Sequence, residues 1–236
     1  MSESLAIPRR FNGPRESGNG GYCSGVVAGF LDAAAAEVSL RRPVPLETPL
    51  DVVRETDGSV RVLDGEALVA EARPAPDFDV EVPAPVSPHD ARLASARYRG
   101  MSDGLFSRCF VCGRARADAF GVFAGAVEGR RVVASPWTPA SWTADAAGAV
   151  LPEFVWAVLD CPTFFASYLD EELPVSVLAR LTARINAPIA AGAEHVVIAW
   201  PIDADGRKRH APSAVLSPDG ETLAVARALL IEPRAR

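Results

Sequence analysis

The hydrophobic and polar positions of the chain form two successive blocks, each of which predicts a buried helix followed by antiparallel strands. The first helix is predicted to begin after Asn19 and to run to about Ala36. Segments with a period of two follow it, and Asp57-Gly58 and Asp64-Gly65 separate them as tight hairpin turns. The strands predicted in this block are Val38–Arg42, Leu50–Glu55, Val60–Leu63 and Leu68–Arg73.

The second block repeats this order after residue 150. Pro152 suits the first turn of a helix, and the apolar residues after it leave no polar face, which predicts a helix buried on all sides. Pro162 is expected to break or kink this helix, because proline donates no backbone hydrogen bond and clashes with the preceding turn. The strands predicted after it are Val175–Ile185, His195–Ile202, Ala211–Leu216 and Thr222–Glu232.

A proline-rich stretch over residues 74–90 separates the blocks and is typical of a stiff linker. We therefore place an N-terminal half at residues 1–80, a linker at 81–100 and a C-terminal half at 101–236. Smaller elements are predicted around the linker and after it. They are a short helix over Arg92–Gly104, strands over Phe120–Ala124 and Arg131–Pro136, and a loop over Trp137–Ala149.

A short repeated sequence suggests that the two blocks arose by duplication. Residues 62–70 (VLDGEALVA) and residues 215–225 (VLSPDGETLAV) each predict a strand, an Asp-Gly-Glu turn and a second strand. Both segments occupy the same place in their block, so the order of elements and the turn chemistry agree.

Composition excludes several classes of protein. The 236 residues are 49% hydrophobic and 23% charged, with a net charge of −6, which argues against nucleic acid as the main partner. No apolar run approaches the roughly 20 residues that span a bilayer. The N-terminus lacks the basic and apolar regions of a secretion signal. We therefore expect a cytoplasmic protein without a membrane partner, and its four cysteines are expected to be reduced.

The start of the first helix is the first candidate site. Asn19 is a good N-cap, because its side-chain oxygen can accept from a first-turn N–H. Gly20 and Gly21 leave the next N–H groups unshielded at the positive end of the helix dipole, where a carbonyl or an anion can bind. Gly21, Gly25 and Gly29 also share one helical face, so close packing against a sheet is the alternative reason for these glycines.

Asp160 is the candidate catalytic acid, because it lies on the otherwise apolar second helix. A buried, unpaired carboxylate is costly, and desolvation raises its pKa. It either accepts hydrogen bonds from a strand or an arginine, or it orients water or attacks a carbonyl. Glu153, Trp156 and Phe164 share its helical stripe. Glu153 is interpreted mainly as an acid that complements the helix start.

The cysteines leave three alternatives open. Cys109 and Cys112 form a CxxC pair followed by a glycine, which resembles half of a zinc knuckle. No second pair exists, and Cys161, His89 or His210 could complete a site only through folding. We therefore favour a tight structural turn over zinc binding or redox chemistry, and no metal site is predicted. Cys23 and Cys161 are interpreted as small buried residues.

Residues 206–210 form a basic hairpin loop that contains Arg207 and Arg209. Such a loop is most often a solvated turn. If the ligand carries phosphates, as coenzyme A does, these guanidinium groups could bind them.

A buried helix followed by an antiparallel meander, present twice, resembles the hotdog fold. The Asn19-Gly20-Gly21 segment is similar to the His-Gly-Gly helix start of hotdog thioesterases, with asparagine in place of histidine. The whole chain resembles a tandem, or double, hotdog of the acyl-CoA thioesterase-like superfamily, an α+β fold. The resemblance implies one continuous sheet, with sites between the two units near the helix starts.

The resemblance also implies a chemistry. Asn19, Gly20 and Gly21 would hold a thioester carbonyl through a backbone N–H, and Asp160 of the other unit would act as base or nucleophile. Coenzyme A would be part of the substrate, so no cofactor is expected. A hotdog hydratase is disfavoured because no histidine is near either helix. A non-catalytic acyl or CoA-ester binder is the alternative, and two double hotdogs could pair as a homodimer. Residues expected to contact the substrate are Tyr22, Glu153, Trp156, Phe164, Arg207 and Arg209.

Overall fold

A computed structural model describes residues 3–100 and 103–233 of the chain. In this part the chain forms three α-helices and twelve strands. The helices are α1 (Gly20–Ala28), α2 (Pro88–Ser95) and α3 (Pro152–Ser167). The strands are β1 (Glu3–Leu5), β2 (Ala35–Leu40), β3 (Leu50–Arg54), β4 (Val60–Asp64), β5 (Ala67–Pro74), β6 (Gly125–Ala126), β7 (Val133–Trp137), β8 (Val177–Ile185), β9 (His195–Ala199), β10 (Asp203–Asp205), β11 (Lys208–Leu216) and β12 (Thr222–Ile231).

All twelve strands belong to one sheet whose two sides follow the same order. The first side runs β1-β3-β4-β5-β2 from its edge to the centre, and the second runs β7-β9-β11-β12-β8. Short strand β6 lies outside β7, and β10 pairs with β11. The two sides meet where β2 pairs antiparallel with β8, from Ala35 opposite Arg184 to Ser39 opposite Arg180. Helix α1 precedes β2 as α3 precedes β8, so each helix has the same place in its side.

The repeated sequence forms the same local structure twice. Strands β4 and β5 change register between Val62 and Leu63, and β11 and β12 change register between Val215 and Leu216, which are the equivalent positions. The glycine of each Asp-Gly-Glu turn has a positive φ, 57° at Gly65 and 90° at the second turn. The predicted hairpins are therefore confirmed. Glycine suits these turns because it adopts a positive φ without strain.

Helices α1 and α3 cross each other in opposite directions at very short range. A Cβ added to Gly21 would lie 2.5 Å from the Trp156 carbonyl oxygen, and one added to Gly25 would lie 2.6 Å from the Glu153 Cα. The glycine face therefore packs against a helix, not against a sheet as predicted. Gly29 is exposed and lies beyond this contact.

Helix α3 is buried on nearly all sides, as predicted, but Pro162 does not break it. The helix continues to Ser167. The Ser213 hydroxyl on β11 donates to the Leu159 carbonyl at 2.7 Å, and the Thr163 hydroxyl donates to the carbonyl of residue 160 at 2.6 Å. These two hydroxyl groups therefore bond backbone carbonyls in the turn of α3 that precedes Pro162, where a proline disturbs the backbone hydrogen bonds of a helix.

Several boundaries differ from the prediction. Helix α1 ends at Ala28, and residues 35–40 form β2 because they pair on both sides, with β5 and β8. Helix α2 begins at Pro88, where the Ser87 hydroxyl accepts from the Asp90 N–H at 3.1 Å, and not at Arg92. Residues 120–124 are not a strand. None of the helices in the described ranges has the length and hydropathy needed to cross a membrane.

Candidate functional site

Asn19 caps helix α1, as predicted. Its Oδ1 accepts from the Tyr22 N–H at 2.9 Å, and the side chain is buried. Its Nδ2 points to two sulfur atoms, the Sγ of Cys109 at 3.7 Å and the Sγ of Cys161 at 3.6 Å. The cap thus contacts both α3 and the segment that follows the linker.

The Asp160 carboxyl group contacts the start of α1 directly. Its Oδ2 accepts from the Gly21 N–H at 2.8 Å, and the residue is only 7% exposed. Among the described residues no arginine pairs with this carboxyl group, and no other hydrogen bond to its oxygens is present. Burial raises the pKa of Asp160 to about 7, the bond from Gly21 opposes that rise, and nearby Cys109 adds to it. The acid on α3 therefore meets an amide donor at the start of α1.

Gly20 provides a second amide beside the same carboxyl group. As the first residue of α1 it has no intrahelical acceptor for its N–H. A Cβ added here would lie 3.2 Å from Asp160 Oδ2 and 2.9 Å from Leu178 Cδ2. Gly20 and Leu178 are half-buried, whereas Gly21 and Asp160 are buried. The absence of a side chain at Gly20 therefore allows the carboxyl group, the first α1 amide and Leu178 of β8 to lie close together.

Tyr22 lies in an aromatic cluster rather than beside the carboxyl group. Its ring stacks on Phe11 with centroids 4.3 Å apart and contacts Phe110 and Phe154 at 5.7 and 5.6 Å. Burial, and secondarily the charge of Glu153, raise the pKa of Tyr22. In this position the ring supports the start of α1.

The other residues of the α3 stripe are spread along the helix. Glu153 is half-buried and lies against Gly25, and Trp156 is buried against the same glycine. Phe164 is half-buried and contacts Phe106, with ring centroids 6.0 Å apart. The structure therefore brings Asn19, Gly20, Gly21 and Asp160 together, but it distributes the predicted substrate contacts over three turns of α3.

The predicted phosphate-binding arginines are engaged elsewhere. The Arg207 guanidinium donates to the Glu232 carbonyl at 2.6 Å. The Arg209 guanidinium pairs with Glu171 at 3.3 Å and stacks over Tyr168. In this conformation the basic loop is tied to the end of β12 and to the segment after α3.

One cluster that the sequence analysis considered but did not favour is present in the structure. Cys109, Cys112 and Cys161 are buried, and their Sγ atoms all lie within 4.8 Å of one another. The CxxC spacing identified two of them, but nothing in the spacing indicated that α3 brings the third to the same point.

Two grooves on the described surface lie away from these residues. One, of about 430 Å³, is lined by side chains of β2, β8 and β12, among them Glu37, Arg180 and Arg227. The other, of about 450 Å³, lies between residues 79–83 and the β9–β11 region. Neither groove is lined by Asp160 or by α1.

The chain is similar to solved structures of hotdog proteins. A proposed thioesterase from Novosphingobium aromaticivorans superimposes with a TM-score of 0.63 at 12% identity, over 98% of this chain and 95% of that one. A TesB protein of Mycobacterium avium subspecies paratuberculosis gives 0.56 at 15% identity, over 89% and 82%. A hotdog protein of unknown function from Alicyclobacillus acidocaldarius gives 0.59 at 12% identity, over 99% and 93%.

No protein-family model and no curated protein sequence matches the chain. At identities of 12 to 15% the likeness is one of fold. The predicted hotdog fold is confirmed at that level, and the chain has an α+β hotdog fold.

Proposed function

We propose, from the hotdog fold that this chain shares with thioesterase-like proteins, that it hydrolyses an acyl thioester between its two central helices. The observation that carries this proposal is the 2.8 Å hydrogen bond from the Gly21 N–H to the buried Asp160 carboxyl group. It brings a potential base and a bare helix start to one point, which is the arrangement that acyl transfer requires.

In the proposed reaction the Gly20 N–H donates to the carbonyl oxygen of the thioester. Asp160, as the carboxylate, takes a proton from water while the water oxygen attacks the carbonyl carbon. The carbon–sulfur bond then breaks, the acyl group leaves as a carboxylic acid, and the thiolate takes up the proton. Direct attack by Asp160 would instead give a mixed anhydride, which water then hydrolyses to the same products.

Differences between the two halves at equivalent helix positions argue for one site per chain. We propose that residues 1–80 and 101–236 are tandem hotdog units joined by residues 81–100, because both sides of the sheet have the same strand order. Asp160 is the ninth residue of α3, and the ninth residue of α1 is Ala28. The second residue of α1 is Gly21, and that of α3 is Glu153. The second symmetry-related position therefore has an alanine where Asp160 would be, and its amide belongs to a residue with a side chain.

The substrate that we propose is an acyl-CoA or a related acyl thioester. We propose that the thioester reaches Asp160 past Gly20 and Leu178, which are both half-buried. Gly20 lies beside the Asp160 carboxyl oxygen, and Leu178 lies beside Gly20. Coenzyme A would then be part of the substrate. Pairing of two chains remains a prediction.

A non-catalytic acyl-thioester binder is the second candidate function. The observation that favours it is that the Gly21 amide and Asp160 already satisfy each other, while Asn19 replaces the histidine of the similar helix start. A binder would retain an acyl thioester in native mass spectrometry without releasing a thiol.

The two functions are separated by a panel of acyl-CoA substrates of different chain lengths, followed by detection of the free thiol. We expect saturable thiol release for at least one acyl group. Retention of intact acyl-CoA without thiol release would support the binder, and neither binding nor release across the panel would reject both.

Gly20→Ala is expected to lower kcat/KM by about 100-fold, because the added Cβ would lie 3.2 Å from the Asp160 oxygen and misplace the carboxyl group or the thioester. The end of the Leu178 side chain can move, but its Cβ, at 3.0 Å, is fixed to β8. We therefore expect the free energy of unfolding to fall by about 1 kcal/mol, the lower end of the cost of overpacking. Steady-state kinetics and urea denaturation measure the two quantities. Unchanged kinetics would show that the substrate does not approach the Gly20 amide.

A further inference from the structure

The cluster of Cys109, Cys112 and Cys161 lies outside the proposed hydrolytic chemistry. Cys109 and Cys112 belong to the segment between the linker and β6, and Cys161 lies in the middle of α3. Their exposed fractions are 1, 5 and 9%. Three thiol groups from two separate parts of the chain thus converge in the core.

The distances between the sulfur atoms suit a shared metal ion. Zinc binds thiolates at about 2.3 Å in a tetrahedral arrangement, which places two sulfur ligands about 3.8 Å apart. The Sγ atoms of Cys109 and Cys161 are 3.8 Å apart. A disulfide would need about 2.0 Å between the same atoms. The observed separation therefore fits two ligands of one ion without any movement of the helix.

The loop around Cys109 has the hydrogen bonds that hold a thiolate. The Val111 N–H donates to the Cys109 Sγ at 3.4 Å, and the Gly113 N–H donates to the carbonyl of residue 109 at 2.9 Å. A Cβ added to Gly113 would lie 2.5 Å from that carbonyl oxygen. The turn is thus closed tightly around the first sulfur, and only glycine fits its end.

Asn19 provides a second and independent observation. Its side chain is 3% exposed, and its Nδ2 has the two sulfur atoms of Cys109 and Cys161 as its only acceptors within the described residues. A neutral thiol is a weak acceptor, so a buried amide donor directed at two of them is poorly satisfied. Thiolates bound to a metal are strong acceptors, and such outer hydrogen bonds orient metal ligands.

We propose that Cys109, Cys112 and Cys161 bind a zinc ion as thiolates. No fourth cysteine, histidine or carboxylate joins the cluster in the part of the chain that the structure describes. The fourth position therefore belongs to water or another small donor. The ion would fix the CxxC segment to α3 one residue from Asp160 and to the cap of α1. This proposal does not depend on hydrolysis, because the three thiolates are argued from their own geometry.

The test uses the full chain, purified under reducing conditions without chelators. We expect about one zinc ion per chain by elemental analysis and by native mass spectrometry, as for a single three-thiolate site. Replacement of zinc by Co²⁺ is expected to give the sulfur-to-cobalt charge-transfer absorption of thiolate ligands. Cys161→Ser should lose the metal, and Cys23→Ser, which changes a buried cysteine outside the cluster, should retain it.

Wild-type protein decides the question even if a serine variant fails to fold. A reduced wild-type chain that contains no zinc and takes up neither Zn²⁺ nor Co²⁺ on titration would overturn the proposal. Protein purified without reductant could instead contain a disulfide between two of the three cysteines. If that protein still fails to bind Zn²⁺ after reduction, the proposal is overturned in favour of a redox pair. Loss of metal from Cys23→Ser and Cys161→Ser alike would contradict the assignment of the ligands.

Discussion

Gly21→Ala is expected to destabilise the protein by about 3 kcal/mol, at the upper end of the usual cost of overpacking. The added Cβ would lie 2.5 Å from both the Trp156 carbonyl oxygen and the Asp160 Cβ. A backbone carbonyl cannot rotate away as the end of a side chain can, so α1 and α3 must separate. The measurement is the free energy of unfolding from urea denaturation, followed by circular dichroism.

Gly29→Ala is the matched control within the same sequence pattern. Gly29 has a φ of −61° and is exposed, and an added Cβ would approach only carbonyl oxygens of its own helix, Val26 at 3.3 Å being the nearest. We expect this variant to change stability by no more than about 1 kcal/mol in either direction. Equal effects of the two substitutions would contradict the close contact between the helices.

Asp160→Asn is expected to reduce kcat by about 10²- to 10⁴-fold, the range that a positioned general base contributes. The asparagine Oδ1 can still accept from the Gly21 N–H, so the helix contact should survive. The amide can neither take a proton from water nor attack a carbonyl. The measurement is thiol release from the best acyl-CoA of the panel, with a thermal unfolding midpoint recorded on the same preparation.

Asp170→Asn is the control for this loss of activity, because Asp170 is an exposed acid just after α3 and pairs with Arg131 at the surface. It should retain full turnover. Full activity of Asp160→Asn would reject the proposed mechanism while leaving the fold unaffected. A loss of activity shared by both variants would point to a general effect of charge and not to a base at position 160.

The parts of the fold that the sequence predicted are those that local chemistry decides. The Asp-Gly turns, the asparagine cap and Pro152 in the first turn of α3 depend on a few adjacent residues. The sequence could not predict that α1 ends at Ala28, because residues 35–40 become a strand through pairing with β8, about 145 residues away. Tertiary pairing overrides local propensity at such positions.

The site was predictable to the same extent. The glycines and Asp160 were each unusual in their own helix, and so each could be singled out. The positions of Tyr22 and Arg209 depended on distances that a sequence does not contain, and both side chains contact neighbouring residues. Their contacts with substrate stay a prediction. The predicted break of α3 at Pro162 was wrong, since the helix continues to Ser167, and the kink stays a prediction.

The pairing of β2 with β8 has a consequence for how the site responds to dilution. In an assembly of two separate subunits, a base on one and an amide on the other would part as the protein concentration falls. Here both belong to one polypeptide, so their encounter is intramolecular and does not depend on the protein concentration. The activity per molecule should therefore be the same at nanomolar and at micromolar protein.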